Sequence, residues 1–181
     1  MPAISPDFRQ AVRQLTDKEK EAIILKAARR DAELYELLSF ELLEDVTVQV
    51  VYEQTAEKIR EMLLHTSGRT LSKALAKSLR KVMKEIARYK RITKDPKTEV
   101  DLHLYVLRLI FDNFTGQFDS YYKGFYTATA RLLLRTIQLI RKNLHEDYHL
   151  EYKNELDNYL QQIHHRHHGL SFQLPYSFES A

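Results

Sequence analysis

The sequence predicts an all-α protein, either an irregular right-handed α-α superhelix or a helical bundle, with six or seven helices. Three observations predict it. Only 4 Gly and 4 Pro occur in 181 residues, too little turn punctuation for a β-rich domain. Pro2, Pro6 and Pro175 lie near the ends, leaving Pro96 as the lone breaker between Asp7 and Leu174. Hydrophobic residues, 44% of the chain, recur at helical spacing through most of that interior and suffice for a core without staples.

Thr16-Asp-Lys-Glu19 reads as a capping box opening a helix through Ala22, Ile23 and Leu25. Asp31 follows as the cap of a second helix carrying Leu34, Leu37, Leu38, Phe40 and Leu42. The β-branched stretch Val46–Tyr52 alternates like a strand. It would have no partner and runs into Ala56, Ile59, Met62 and Leu63, so 47–65 reads as helix. Gly68 is expected to end that helix as a left-handed cap. A long helix then spans about 71–92. Lys94-Asp-Pro-Lys97 forms the clearest corner, and Thr98 with Asp101 is expected to open the next helix, through Leu102, Val106, Leu109, Ile110 and Phe114. An aromatic corner runs from Gly116 to Gly124. Helices over roughly 125–143 and 147–165 follow, the latter capped by Asp147, and then an aromatic, polar tail expected to pack as an extended strap.

The corners at Asp31, Asp95 and, more loosely, Asp147 each place an aspartate between two apolar helices, the unit of HEAT-type solenoids. Their separations, 64 and then 52 residues, depart from a regular repeat. The order of features also resembles an uncharacterised family of short, all-helical bacterial proteins. The residues that carry the resemblance are Phe40-Glu-Leu42, Leu71-Ser-Lys-Ala74, Asp95-Pro96, Asp101-Leu102, Phe125-Tyr126 and Gly169-Leu-Ser-Phe172. The resemblance implies a helical fold and carries no activity. We read the chain as a lead-in over 1–15, a single helical domain over 16–168 and a tail over 169–181.

Composition narrows the function classes. With no cysteine there is no disulfide, thiol catalysis or cysteine-ligated zinc, in keeping with a cytoplasmic, reducing compartment. The first residues have neither the basic nor the apolar region of a secretory signal, and no apolar run reaches the roughly 18 residues of a spanning helix. Dinucleotide, Walker and nucleophile-elbow motifs are absent from the sequence, and no cofactor is implied.

The helix at 71–92 carries the strongest signal. Residues 69–97 hold eleven basic side chains against Glu85 and Asp95, so the rest of a chain with formal net charge +3 is net acidic. On a helix, Lys73, Lys77, Arg80, Lys81, Lys84, Arg88 and Arg91 fall within about one third of the circumference, while Leu71, Leu75, Leu79, Val82, Ile86 and Tyr89 face the other way. Like charges at i,i+4 repel by a few tenths of a kcal/mol each, which argues against an ordinary mixed-charge surface. The stripe could meet the phosphates of a nucleic acid or an anionic lipid surface. It could instead meet the acidic segment Glu33, Glu36, Glu41, Glu44 and Asp45 or a partner's acidic surface, or serve only as a basic face.

Two histidine patterns suggest metals. His145-Glu-Asp-Tyr-His149 matches the H-E-x-x-H of zinc hydrolases, in which two histidines one turn apart bind metal and Glu146 would act as base. Here it falls where a helix is expected to begin. His164 and His168 are also one turn apart, without an accompanying carboxylate set, at a helix end where histidine suits the dipole. A di-iron bundle needs two Glu-x-x-His copies and only Glu146–His149 provides one. The aromatic run Phe111, Phe114, Phe118, Tyr121, Tyr122, Phe125 and Tyr126 could stack bases but suits core packing better.

The expected function is therefore a non-enzymatic helical module that binds a protein partner, with a homodimer compatible. The alternative is a nucleic-acid-associated protein acting through helix 70–92, and the outsider is a zinc hydrolase through His145 and His149.

Overall fold

The computed structural model describes residues 3–166 and 169–180, and within them every regular element is helical. Eight α-helices follow in order: α1 (Pro6–Gln14), α2 (Asp17–Arg30), α3 (Ala32–Leu42), α4 (Val48–Leu64), α5 (Leu71–Thr93), α6 (Pro96–Asn113), α7 (Gly124–Asn143) and α8 (Glu146–His164), with 3-10 turns at Thr115–Asp119 and Phe178–Ser180. The count exceeds the expected six or seven because α1 occupies the segment read as a lead-in. Its start is a compact signal: Ser5 accepts from the Phe8 amide at 3.2 Å, Pro6 sits in the first turn, and Asp7 suits the positive end of the dipole.

The chain divides into two compact units, one ending at Val46 and the other beginning at Thr47. In the first unit, α2 opens on the expected capping box, with the Thr16 hydroxyl accepting from the Glu19 amide at 3.3 Å and Glu19 accepting from the Thr16 amide at 2.8 Å. Asp31 caps α3 through the Glu33 and Leu34 amides. Yet α1, α2 and α3 contain no buried residue, and Phe8, Ile23 and Leu42 are exposed.

The second unit holds the core. Thr47 caps α4 through the Val50 amide at 3.3 Å, and burial of Ile59 and Leu63 overrides the weak helix propensity of its β-branched first turns. Gly68 does not cap α4. The helix ends at Leu64, His65 takes the C-cap, and Gly68 at φ 159° lies in the extended corner leading to α5. At the next corner Asp95, not Thr98 or Asp101, opens α6, accepting from the Lys97 amide at 3.2 Å with Pro96 in the first turn. The Thr98 hydroxyl donates back to Asp95 at 2.7 Å, while Asp101 lies a turn further on and accepts from the Tyr152 hydroxyl at 3.1 Å.

The left-handed residue at that corner is Lys94, at φ 54° and ψ 18°. A side chain with a Cβ is disfavoured there by roughly 1–2 kcal/mol. Part of that is returned through glycine's larger unfolded-state entropy. Lys94→Gly should therefore raise stability by up to about 1 kcal/mol in a denaturant titration. A loss would show that the Lys94 side chain contributes more than its conformation costs.

Principal contacts join α4 to α5 and α6, α5 to α6 and α7, α6 to α7, and α7 to α8. Arg108 of α6 clasps Glu155 of α8 through two 2.7 Å hydrogen bonds, the Tyr159 hydroxyl donates to the same carboxylate at 2.7 Å, and the Phe111 and Tyr159 rings stack at 4.1 Å. The aromatic run is largely interior. Phe118 is fully buried with Phe111, Phe125 and Tyr126 rings 5.6–5.9 Å away, while Tyr121 faces outward. The tail packs as a strap on α8. Leu174 and Phe178 are buried, and the Phe178 amide donates to Asp157 at 2.6 Å. Lys153 pairs with Glu179.

Candidate anion-binding face

Helix α5 is split lengthwise as its periodicity requires. Leu75, Leu79, Val82, Ile86 and Tyr89 are buried, and Lys73, Lys77, Arg80, Lys81, Lys84 and Arg91 are exposed on the other side. Arg88 is mostly buried. Its guanidinium lies 3.0 Å from Glu85, which also takes Lys58 at 2.7 Å. Arg91 is likewise engaged, and Lys90 reaches Glu99 at 2.9 Å.

The C-terminal third of the helix is thus compensated. Among the described residues, Lys73, Lys77, Arg80, Lys81 and Lys84 form no ion pair. These five cations occupy the first two thirds of α5, nearer the positive end of its dipole, and its first turn holds no acidic residue. Mutual repulsion and the dipole both disfavour this arrangement.

At the α4–α5 corner the stripe borders an open cleft of about 710 Å³. Arg69, Lys73, Lys77 and Lys81 line it, with His65 and a single carboxylate, Glu61. Behind them the Thr66 hydroxyl donates to the Met62 carbonyl at 2.6 Å, so the Ser78 hydroxyl, 2.8 Å away, donates to Thr66. The acidic segment Glu33–Asp45 belongs to the unit that ends at Val46.

The H-E-x-x-H pattern straddles the start of α8, with His149 in its first turn and His145 just before it. His145, rather than Asp147, is the N-cap of α8, its Nδ1 lying 3.4 Å from the Asp147 amide and 3.1 Å from the Asp147 carboxylate. His149 donates from Nε2 to the Leu144 carbonyl at 3.3 Å and packs edge-on against Phe178. His164 donates to the Pro175 carbonyl at 2.9 Å and stacks on Tyr176, while His168 lies outside the described residues. No group of three or more metal-binding side chains occurs among the described residues.

A polar cluster in the core escaped the sequence reading. His103 of α6 is fully buried, and burial, with Arg135 and Lys90 adding to it, lowers its pKa from 6.5 to about 3. Thr136 gives its one hydroxyl proton to the Leu132 carbonyl at 2.8 Å, so His103 must donate from Nδ1 to Thr136 at 3.4 Å. Its Nε2 is left as a bare acceptor with no partner among the described residues. One turn earlier Glu99, 2% exposed, meets Lys90.

Comparison with family models, with curated proteins and with solved structures finds no match to this chain. Among the described residues no helix is long and apolar enough to cross a membrane.

Proposed function

We propose that this chain is a non-catalytic helical binding protein that engages the phosphates of a nucleic acid through α5. The observation that carries this reading is the set of five exposed cations, Lys73 to Lys84, without a counter-charge at the dipole's unfavourable end. A face that weakens its own fold is accounted for when a polyanion neutralises it and releases counterions. Contacts of α4 with α6 and of α5 with α7 suit an α-α superhelix, which would present α5 as one continuous ridge.

The test is a variant with Lys73, Lys77, Arg80 and Lys84 all changed to Gln. Binding to a single-stranded oligonucleotide should weaken, and the salt slope should fall by up to about 0.7 per lost contact. Thermal stability should hold or rise, because like-charge pairs worth a few tenths of a kcal/mol each have gone. Unchanged binding, or no binding at low salt by the parent chain, would remove the proposal.

One observation favours a protein partner as a second reading. The unit ending at Val46 buries none of its described residues and exposes Phe8 and Val12 on α1 with Ile4 just before it, an apolar stripe of the kind partner proteins cover. A pull-down that loses its protein partner on Phe8→Asp, with nucleic-acid binding intact, would support it.

A further inference from the structure

We infer that the cleft at the α4–α5 corner is a receptor for the terminal phosphate of a nucleic-acid strand whose backbone lies along α5, an inference that rests on the nucleic-acid reading above. The cleft and the stripe are one surface. Lys73, Lys77 and Lys81 belong to both, and Arg80 and Lys84 carry the charge onward along the helix. Lys73 to Lys84 spans about 16 Å at 1.5 Å per residue. That is the length of roughly five stacked nucleotides at 3.4 Å each.

At its N-terminal end this track runs into the cleft at the α4–α5 corner. The corner residues His65, Thr66, Ser67, Gly68, Arg69 and Thr70 line the cleft there, beside the cations of α5. An internal phosphodiester carries one charge and a sugar on each side. A phosphomonoester at a strand end carries up to two charges and three free oxygens, and enters end-on.

The lining matches that group. Four cations, Arg69, Lys73, Lys77 and Lys81, surround one concavity, more positive charge than a single diester calls for. Arg69 adds a forked guanidinium suited to two oxygens at once. The hydroxyls of Ser67 and Thr70 stand on the same lining as further donors. Glu61 is the one carboxylate there, so repulsion of an anion is outweighed four to one.

The experiment compares fluorescently labelled single strands on the full chain by anisotropy. One strand has a 5′-phosphate, one a 3′-phosphate, one hydroxyl ends, and a fourth hydroxyl-ended strand is two nucleotides longer to match total charge. One phosphorylated end should bind about tenfold tighter than the charge-matched control. Lys73→Gln with Lys77→Gln should abolish that preference. Arg80→Gln with Lys84→Gln should weaken all four strands alike and keep it.

Equal binding of all strands would overturn the cleft assignment while leaving the backbone reading intact. A preference that survives the Lys73/Lys77 change would also overturn it. Failure of every strand to bind would remove both.

Discussion

Acidifying the protein from pH 7 to pH 4 should destabilise it steeply, and replacing one residue, His103, should remove most of the extra slope. His103 is neutral in the folded core, with its pKa lowered from 6.5 to about 3 chiefly by burial. The unfolded chain therefore binds the proton more readily, and stability falls with pH wherever the two states differ in protonation. The contribution is fully present above pH 6.5, declines by about 1.4 kcal/mol per pH unit below it, and is exhausted near pH 3, a total on the order of 5 kcal/mol. Glu155 acts in the same direction. Burial pushes its carboxyl up, but the hydrogen bonds from Arg108 and Tyr159 outweigh burial and hold it low. Asp101, raised by burial, acts oppositely. Urea titrations of the parent and His103→Leu at pH 7, 5.5 and 4 separate these. The difference between the two proteins should change by several kcal/mol across the series, and a constant difference would mean that His103 is not neutral in the core.

The second large effect is expected at Lys90. Its ammonium reaches both oxygens of Glu99, at 3.1 and 2.9 Å, and Glu99 is buried while Lys90 is half in water. Lys90→Met should cost about 2–3 kcal/mol, because it leaves a buried carboxylate without its cation. Pairing it with Glu99→Leu should recover most of that loss, since apolar replacement of a buried ion pair is often neutral or better. Chemical denaturation of both single variants and the double variant gives the coupling directly. Additive losses would show that the two side chains do not act as a pair.

Both effects arise from positions that the sequence concealed, for a definite reason. On α5 one face is buried and the other open, so periodicity alone separated Leu75 and Leu79 from Lys77 and Arg80. Helix α6 is enclosed over much of its circumference, with Val100, Leu102, Leu104, Val106 and Leu107 all buried. In such a helix a polar residue has no outer face to occupy, and Glu99 and His103 are drawn inward, where only tertiary partners distinguish them from surface residues. Their spacing of four was the available signal, since it places both on one face beside Val100 and Leu107.

Local cues were legible where one side chain decides the outcome, as at the Thr16–Glu19 box and Asp31. They misled where two candidates compete. Asp95 displaced Thr98 and Asp101, and His145 took the position expected of Asp147, because a cap is chosen by where the preceding corner delivers the chain. The extent of the cationic face was visible in the sequence. Its division into a paired end and an unpaired end was not, because the Glu99 carboxylate that pairs Lys90 reaches α5 from another helix.

The order of helix contacts also bears on how the larger unit assembles. Its principal pairings link a helix to the next one or the next but one, and the strap closes onto the helix just before it. Little chain must be looped before each contact forms, so the entropic barrier is spread over many short closures instead of one long one. The polar cluster around His103 and Glu99 lies where α5, α6 and α7 meet, so it is completed only when the third of these helices docks.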